Sequence, residues 1–459
     1  MSKVTEVVSA LVGGARQRKV QAWTELEANA GPAWIQTVDI EQPLPEFDIA
    51  GRYQSAFVVF IRRGVPRGAV ILDLDKREMF SENILKNSME HAALSEHSVL
   101  DMTNITDAML PKISIVIPSV MTRLTDLRIC LDAIGELDYP DFETVLVDNR
   151  RVVPSIDPLE EIVRGRSWLR VVREPRPGAS VARNTGAAAA GGEIIAFTDD
   201  DVRVDRHWLR AIGTRMSLDP DLDALTGLIL PAELESPSQV WFERYFGGMG
   251  SERTFSTVTL EPGPTRFGPL RGSSVLVRNA MGEEMRRFSV YGSGAYGASA
   301  NMAVRRSALE RIGGFEATLG AGTPAFGGED LAVMISIIWT GGRICYEPAA
   351  SAWHRHRREY EELLKQVDGY ALGFTAMLTR LVLDDPRHLL CIISKLPTAA
   401  RQKYLHGINR TRVSSSSGAS DDRAKSYPSI LFKREMLGLI MGPFAYARSW
   451  AWWRQFSRG

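Results

Sequence analysis

Cysteine is scarce in this chain: Cys130, Cys345 and Cys391 are the only three in 459 residues, and no two share a paired spacing. That scarcity argues against a disulfide framework or a structural zinc site and favours a reducing compartment. An excess of either charge is also missing, since 55 basic residues meet 55 acidic ones. Dedicated nucleic-acid binders carry a basic surplus, so no nucleic-acid partner is expected. Near the C-terminus the longest uncharged apolar stretch, Met436 to Ala447, has 12 residues and contains Pro443. A bilayer span needs about 20. The opening from Met1 to Arg18 breaks its apolar residues with charge, so it does not read as a secretory signal. The expectation is a cytoplasmic chain, soluble or at most peripheral to the cytoplasmic face of a membrane. Disorder throughout is excluded by a 44% apolar and 24% charged composition.

Several signature loops are absent too. The turn after the first strong strand reads Pro118-Ser119-Val120-Met121-Thr122-Arg123, where a dinucleotide site needs G-x-G-x-x-G. Hydride chemistry is disfavoured. There is no G-x-x-x-x-G-K-[ST] loop for a phosphotransferase and no G-x-S-x-G nucleophile elbow.

What is present divides the chain into three. Residues 1–112 combine a helical opening with a hairpin pattern: Gln54 to Arg62, a turn at Gly64 to Gly68, then Ala69 to Leu74. In residues 113–383 strands and helices alternate, the mark of an α/β domain with a mostly parallel sheet. Residues 384–459 read as a helical tail with a mobile linker near 413–426, VSSSSGASDDRAKS. Within the middle region Ile113 to Ile117 predicts a buried strand stopped by Pro118. An amphipathic helix follows through Leu127, Cys130, Leu131, Ile134 and Leu137, and a second strand ends at Asp148. Leu169 to Val172 is a third strand, Ser180 to Ala190 a helix, and Ile194 to Phe197 a fourth strand running into Asp199-Asp200-Asp201. Ligands in such sheets sit off the C-terminal strand ends, where Pro118, Asp148 and the aspartates would lie.

Three adjacent carboxylates repel, and each resists ionisation unless a cation sits among them. A hard divalent ion with oxygen ligands resolves the conflict; a solvated acidic turn is the alternative. Glu329-Asp330 follows two glycines and opens an apolar helix, Leu331 to Trp339, so it is either a ligand-facing pair or a helix cap. Arg183 and Asn184 lie in the Gly178–Gly186 segment, with Ser180 as a candidate cap. Arg183 would face the Asp148 crevice as a phosphate or base contact, or lie on the helix surface. His354 and His356 alternate after an extended run, Ile344 to Ala349, and would share a face.

The ordered set Ser114–Pro118, Val145–Asn149, Gly178–Gly186, Ile194–Asp201 and Phe326–Leu331 resembles a family-2 glycosyltransferase of the GT-A fold. Ser299–Arg306 and Ile312–Phe315 agree with it, and the resemblance covers about 113–383. It implies inverting transfer from a nucleoside-diphosphate sugar donor to an acceptor hydroxyl. On that basis Pro118, Asp148, Arg183, Asn184, Asp199 and Asp200 would bind donor. Asp199, Asp201 and His354 would hold Mn²⁺ or Mg²⁺. Asp330 would be the general base, and Glu329 would position the acceptor. One departure is Asn149-Arg150-Arg151 after Asp148, which leaves nucleobase choice open. A nucleotidyltransferase, or a silent sugar- or partner-binding module on the same fold, are the rival readings. In the tail Trp450, Trp452 and Trp453 stand among Arg448, Arg454 and Arg458, a composition suited to peripheral membrane contact or to a docked helix.

Overall fold

Runs of β-branched and aromatic residues build a small first sheet from β1 (Ala33–Asp39), β2 (Ser55–Arg62) and β3 (Val65–Asp73). The computed structural model describes residues 31–43, 51–73, 100, 102, 105–250, 253–264, 270, 272–395 and 429–457. The expected helical opening and the linker at 413–426 lie outside them. β2 and β3 form the anticipated hairpin, but its turn is Arg63-Gly64, with φ of 50° and 77°, and not Gly64 to Gly68. Paired positive φ values give a turn whose twist matches the strands it joins. Pro66 thus falls inside β3, beside a register shift at Phe60 and Ile61. β1 joins β2 in parallel.

The large sheet starts at β4 (Ile113–Ser119), followed by α1 (Leu124–Gly135), β5 (Phe142–Asp148), α2 (Leu159–Val163) and β6 (Leu169–Arg173). Next come α3 (Ala179–Ala189), β7 (Ile194–Thr198), β8 (Val202–Val204), α4 (Trp208–Leu218), β9 (Ala224–Pro231) and α5 (Pro237–Trp241). β10 (Val258–Pro262), β11 (Ser274–Asn279), β12 (Glu284–Ser289) and β13 (Asn301–Arg305) precede α6 (Arg306–Arg311), α7 (Glu329–Trp339) and β14 (Ile344–His354). Two long helices close the chain, α8 (Tyr360–Asp384) and α9 (Ser429–Trp453). Spatial order is β12-β11-β10-β14-β9-β13-β7-β4-β5-β6, with β8 on β14. β6, β5, β4 and β7 are parallel, β14 is parallel to β9, and β13 runs against both β7 and β9. The expected α/β architecture is present, but the sheet is mixed and not mostly parallel: four of its strand pairs run parallel and six antiparallel.

Side chains alternate across this sheet and define a core on each side. Val116, Val145, Val147, Ile195 and Phe197 face one, with Ala182, Val333 and Leu363 from the helices. Ile115, Ile117, Leu146 and Ala196 face the other, with Leu127, Leu131, Trp208 and Leu209. Strands buried on both faces carry continuous apolar runs, which is why β4, β5 and β7 stand out in the sequence. Pro118 does not stop β4, which continues to Ser119 opposite Asp148. Pairing with β7 ends at Val116, so the proline lies beyond that neighbour. On α3, a Cβ at Gly186 would come 2.9 Å from the Val147 Cγ2. Only glycine lets the helix approach β4 and β5 this closely.

Candidate functional site

Because these strands share a direction, Asp148, Asp199 and His354 reach the same edge of the sheet. Pairing of β8 with β14 sets Val202 opposite His354 and so brings His354 to Asp201, with Nε2 3.4 Å from Oδ1. Each aspartate of the triplet has its own partner. Asp199 accepts from the Arg183 Nη2 at 2.8 Å, and Asp200 from the Ser119 hydroxyl at 2.5 Å. Asp201 pairs with Arg123 at 2.8 Å and Arg357 at 3.5 Å. Burial, reinforced by Asp201, pushes the Asp200 carboxyl up to about 6. Burial also works against ionisation of Asp201, but His354, Arg123 and Arg357 outweigh it and hold that carboxyl below its ordinary value. Burial pushes the His354 imidazole down to about 4.

Arginines of the chain already stand against the triplet, so a metal ion is not its only source of positive charge. Nor is the set Asp199, Asp201 and His354 preassembled. Among the described residues no three His, Cys, Asp or Glu side chains are grouped to hold an ion. Two hard carboxylates still suit Mg²⁺ or Mn²⁺ if diphosphate oxygens complete the shell, the usual pattern where a protein supplies only one or two ligands. The donor set fits on those terms.

Glu329-Asp330 lies at the first turn of α7, entered through Gly328 at φ 89°. There a Cβ would meet the Gly373 carbonyl of α8 at 2.7 Å, so glycine is required. The helix begins at Glu329, two residues earlier than the expected Leu331. Arg183 spans from this pair to the triplet: its Nη1 lies 3.0 Å from the Glu329 Oε1, opposite the Asp199 contact, and its plane lies over Phe315. The two acidic groups are thus joined by one buried guanidinium. Burial, with Asp330 adding to it, pushes the Glu329 carboxyl up to about 7 despite Arg183. Asp330 is half-buried and accepts the Leu331 N–H at 2.7 Å.

Other sequence expectations are placed differently. Arg183 turns to Asp199 and Glu329, not to Asp148. Asp148 is clamped by Arg150, through Nε at 2.8 Å and Nη2 at 2.9 Å, and by Arg173 at 2.8 Å. Burial raises its carboxyl, but Arg150 and Arg173 prevail and hold it low. Asn184 is engaged with the backbone of Phe315 through both its groups, at 2.7 and 2.8 Å. Ser180 caps nothing; its hydroxyl donates to the Leu319 carbonyl at 2.7 Å. Together with Ala179 N–H to Ala321 O at 2.9 Å, these bonds tie the loop before α7 to the start of α3. Pro118 is half-buried beside this edge, next to Ser119, whose carbonyl accepts the Asn149 N–H. His354 and His356 do share a face, with Nδ1 atoms 3.3 Å apart, and His356 continues to Glu243 at 2.9 Å.

Sequence reasoning missed Ser119, Arg123 and Arg357, although Arg123 stood in the quoted turn and Arg357 in the His-Arg run. It also missed Phe326, exposed and held at φ 64° three residues before Glu329. A non-glycine residue there is strained, a mark of functional loops.

Residues 114–313 match the model of glycosyl transferase family 2. Among curated relatives, the pre-mycofactocin glycosyltransferase of Mycobacterium tuberculosis is 27% identical over 204 residues, 44% of this chain and 36% of that protein. Glycosyltransferase AglE of Haloferax volcanii is 32% identical over 121 residues, 25% of this chain and 38% of the relative. The chain thus spans little more than a third of the length of these relatives. Among solved structures, a mannosyltransferase from Pyrobaculum calidifontis in complex with GDP-Man and Mn²⁺ aligns over 75% of this chain and 89% of its own, at 17% identity and a TM-score of 0.43. At that score the likeness carries no argument, and the fold rests on the topology above and on the family model.

Proposed function

We propose, from the match of residues 114–313 to the model of glycosyl transferase family 2, that this protein moves a sugar from a nucleoside-diphosphate donor to an acceptor hydroxyl with inversion. The observation that carries the reading is the Arg183 bridge, which joins the strand-end aspartates to the Glu329-Asp330 pair. Displacement at an anomeric carbon needs both: charge stabilisation on the leaving side, and a proton acceptor on the opposite side.

In this reading Asp199 and Asp201 would hold a divalent ion, which would supply positive charge to the departing diphosphate. Asp148 with Arg150 and Arg173 forms the nucleobase end, and Ser119 orients Asp200. Arg123 and Arg357 keep Asp201 ionised in a buried setting. Asp330 takes the acceptor proton as the oxygen attacks, the new glycosidic bond forms, and the bond electrons leave with the diphosphate. Glu329, fixed by Arg183, orients the acceptor.

The test is a donor panel with and without Mn²⁺ or Mg²⁺, read as release of nucleoside diphosphate and transfer to added acceptors. Asp201→Ala should weaken metal-dependent donor binding at least tenfold. Asp330→Asn should leave donor binding near that of the parent and lower transfer by 10²-fold or more, the scale of a lost general base. Full turnover by Asp330→Asn would remove that assignment. Donor binding without turnover on any acceptor would favour the silent module.

A further inference from the structure

Helix α9 is apolar on two sides, and among the described residues only one of them is covered. Its inner side packs on α8. A Cβ on Gly438 would come 3.2 Å from the Leu372 nitrogen, and one on Gly442 2.7 Å from the Ala376 nitrogen. Small residues four apart let the two backbones close up. Arg434 pairs with Asp368 at one end of this contact. At the other, the Ser449 hydroxyl donates to the Thr318 carbonyl at 2.5 Å, within the loop tied to α3. Trp453 lies under the Arg176 guanidinium. The helix is therefore mounted on the framework of the candidate site.

Its outer side carries Leu437, Ile440, Met441 and Phe444, which are 61, 64, 43 and 64% exposed. Their spacing of three, one and three residues forms one continuous helical stripe. A stripe of this size facing water needs an occupant. The flanking chemistry selects it. Trp450 is 47% exposed with Arg454 over its ring, and Arg448 lies one turn beyond Phe444. Residues 429–459 hold five Lys and Arg against one Glu, whereas over the whole chain 55 basic and 55 acidic residues cancel. Apolar stripe, interfacial tryptophan and local positive charge together match the boundary of an anionic bilayer. Among the described residues no helix is long and apolar enough to cross a membrane, so the mode is lying on it.

We propose that the outer face of α9 seats this protein on an anionic lipid surface. The contact goes beyond the transferase reading and stands without it, because neither the stripe nor its charge takes part in the chemistry at Asp330.

The experiment is vesicle co-sedimentation of the full chain, using phosphatidylcholine alone or mixed with phosphatidylglycerol. The protein should sediment with the mixed vesicles and not with the neutral ones. Raising salt from about 0.1 to about 1 M, which shortens the screening length from ~10 to ~3 Å, should release it. The variant Leu437→Ser, Ile440→Ser, Phe444→Ser should lower vesicle affinity at least tenfold, with circular dichroism and nucleoside-diphosphate binding unchanged. Arg448→Gln with Arg454→Gln should lower it without touching the stripe. Absence of vesicle binding, equal binding to neutral vesicles, or unaltered binding by both variants overturns the proposal. So does a dimer in light scattering that the stripe variant dissociates, which would make a second copy the occupant. Nucleoside-diphosphate binding is read separately, so a failed transferase reading cannot be mistaken for a failed membrane contact.

Discussion

At the scale of single residues, Arg183 carries the most consequence. It is 3% exposed and lies between two carboxylates, and among the described residues its Nε has no hydrogen-bond partner. Its value is not in net ion-pair energy, because two desolvated charges largely offset their own attraction. What matters is the cost of leaving one charge behind. Arg183→Met should destabilise the fold by about 3 kcal/mol, since the buried Glu329 then has no cation. Adding Glu329→Gln should return most of that loss, because the buried charge is gone and Asp199, the other partner, reaches water. Urea unfolding of the two variants checks this. If the double variant is no more stable than the single one, packing of Arg183 on Phe315, and not charge, accounts for the loss.

Elements behave as units here because each is tied by a few directed bonds. The helical segment at 387–395 is held to the end of α7 by Trp339, which stacks on His388 at 3.8 Å and donates from Nε1 to Asp385 at 2.9 Å. Tyr291 hydrogen-bonds the same imidazole at 2.9 Å. Burial pushes His388 down to about 4, with Asp385 and Arg387 acting in opposite senses. The sign follows from linkage. Below its ordinary value near 6.5 the unfolded chain gains a proton that the folded chain refuses, so stability falls as pH drops and levels off below about 4. Between pH 7 and pH 5 the loss amounts to about 2 kcal/mol. His388→Phe keeps a ring on Trp339 and removes the titration. Its stability should change by about 2 kcal/mol less over that interval, measured by denaturant unfolding at both pH values. An unchanged pH slope would show that His388 ionises freely.

For the whole molecule, legibility in the sequence followed burial and locality. β4, β5 and β7 read as continuous apolar runs because both their faces are covered, and Glu329-Asp330 was flagged by glycines before an apolar helix. β12 gave no such signal, since Glu284 through Arg287 are exposed and offer no pattern. Arg123 and Arg357 could not be assigned because their roles depend on β8 meeting β14 across the fold. The sequence separates residues 1–112 from the large α/β domain because nothing local shows what the N-terminal hairpin packs on. In the structure Phe57 and Val59 belong to the same core as Phe197, Leu230 and Phe242, and Ala33 N–H bonds the Leu234 carbonyl at 2.8 Å. A shared core should unfold as one body. Phe57, 2% exposed with Arg253 over its ring, is the residue that tests this. Phe57→Ala should cost about 3–5 kcal/mol, the range for a truncated buried phenylalanine. Calorimetry should then show one transition shifted to lower temperature, because the cavity opens in a core that both sheets hold in common. A separate low-temperature transition, with the main one unmoved, would make the N-terminal sheet an independent module resting on the large α/β domain.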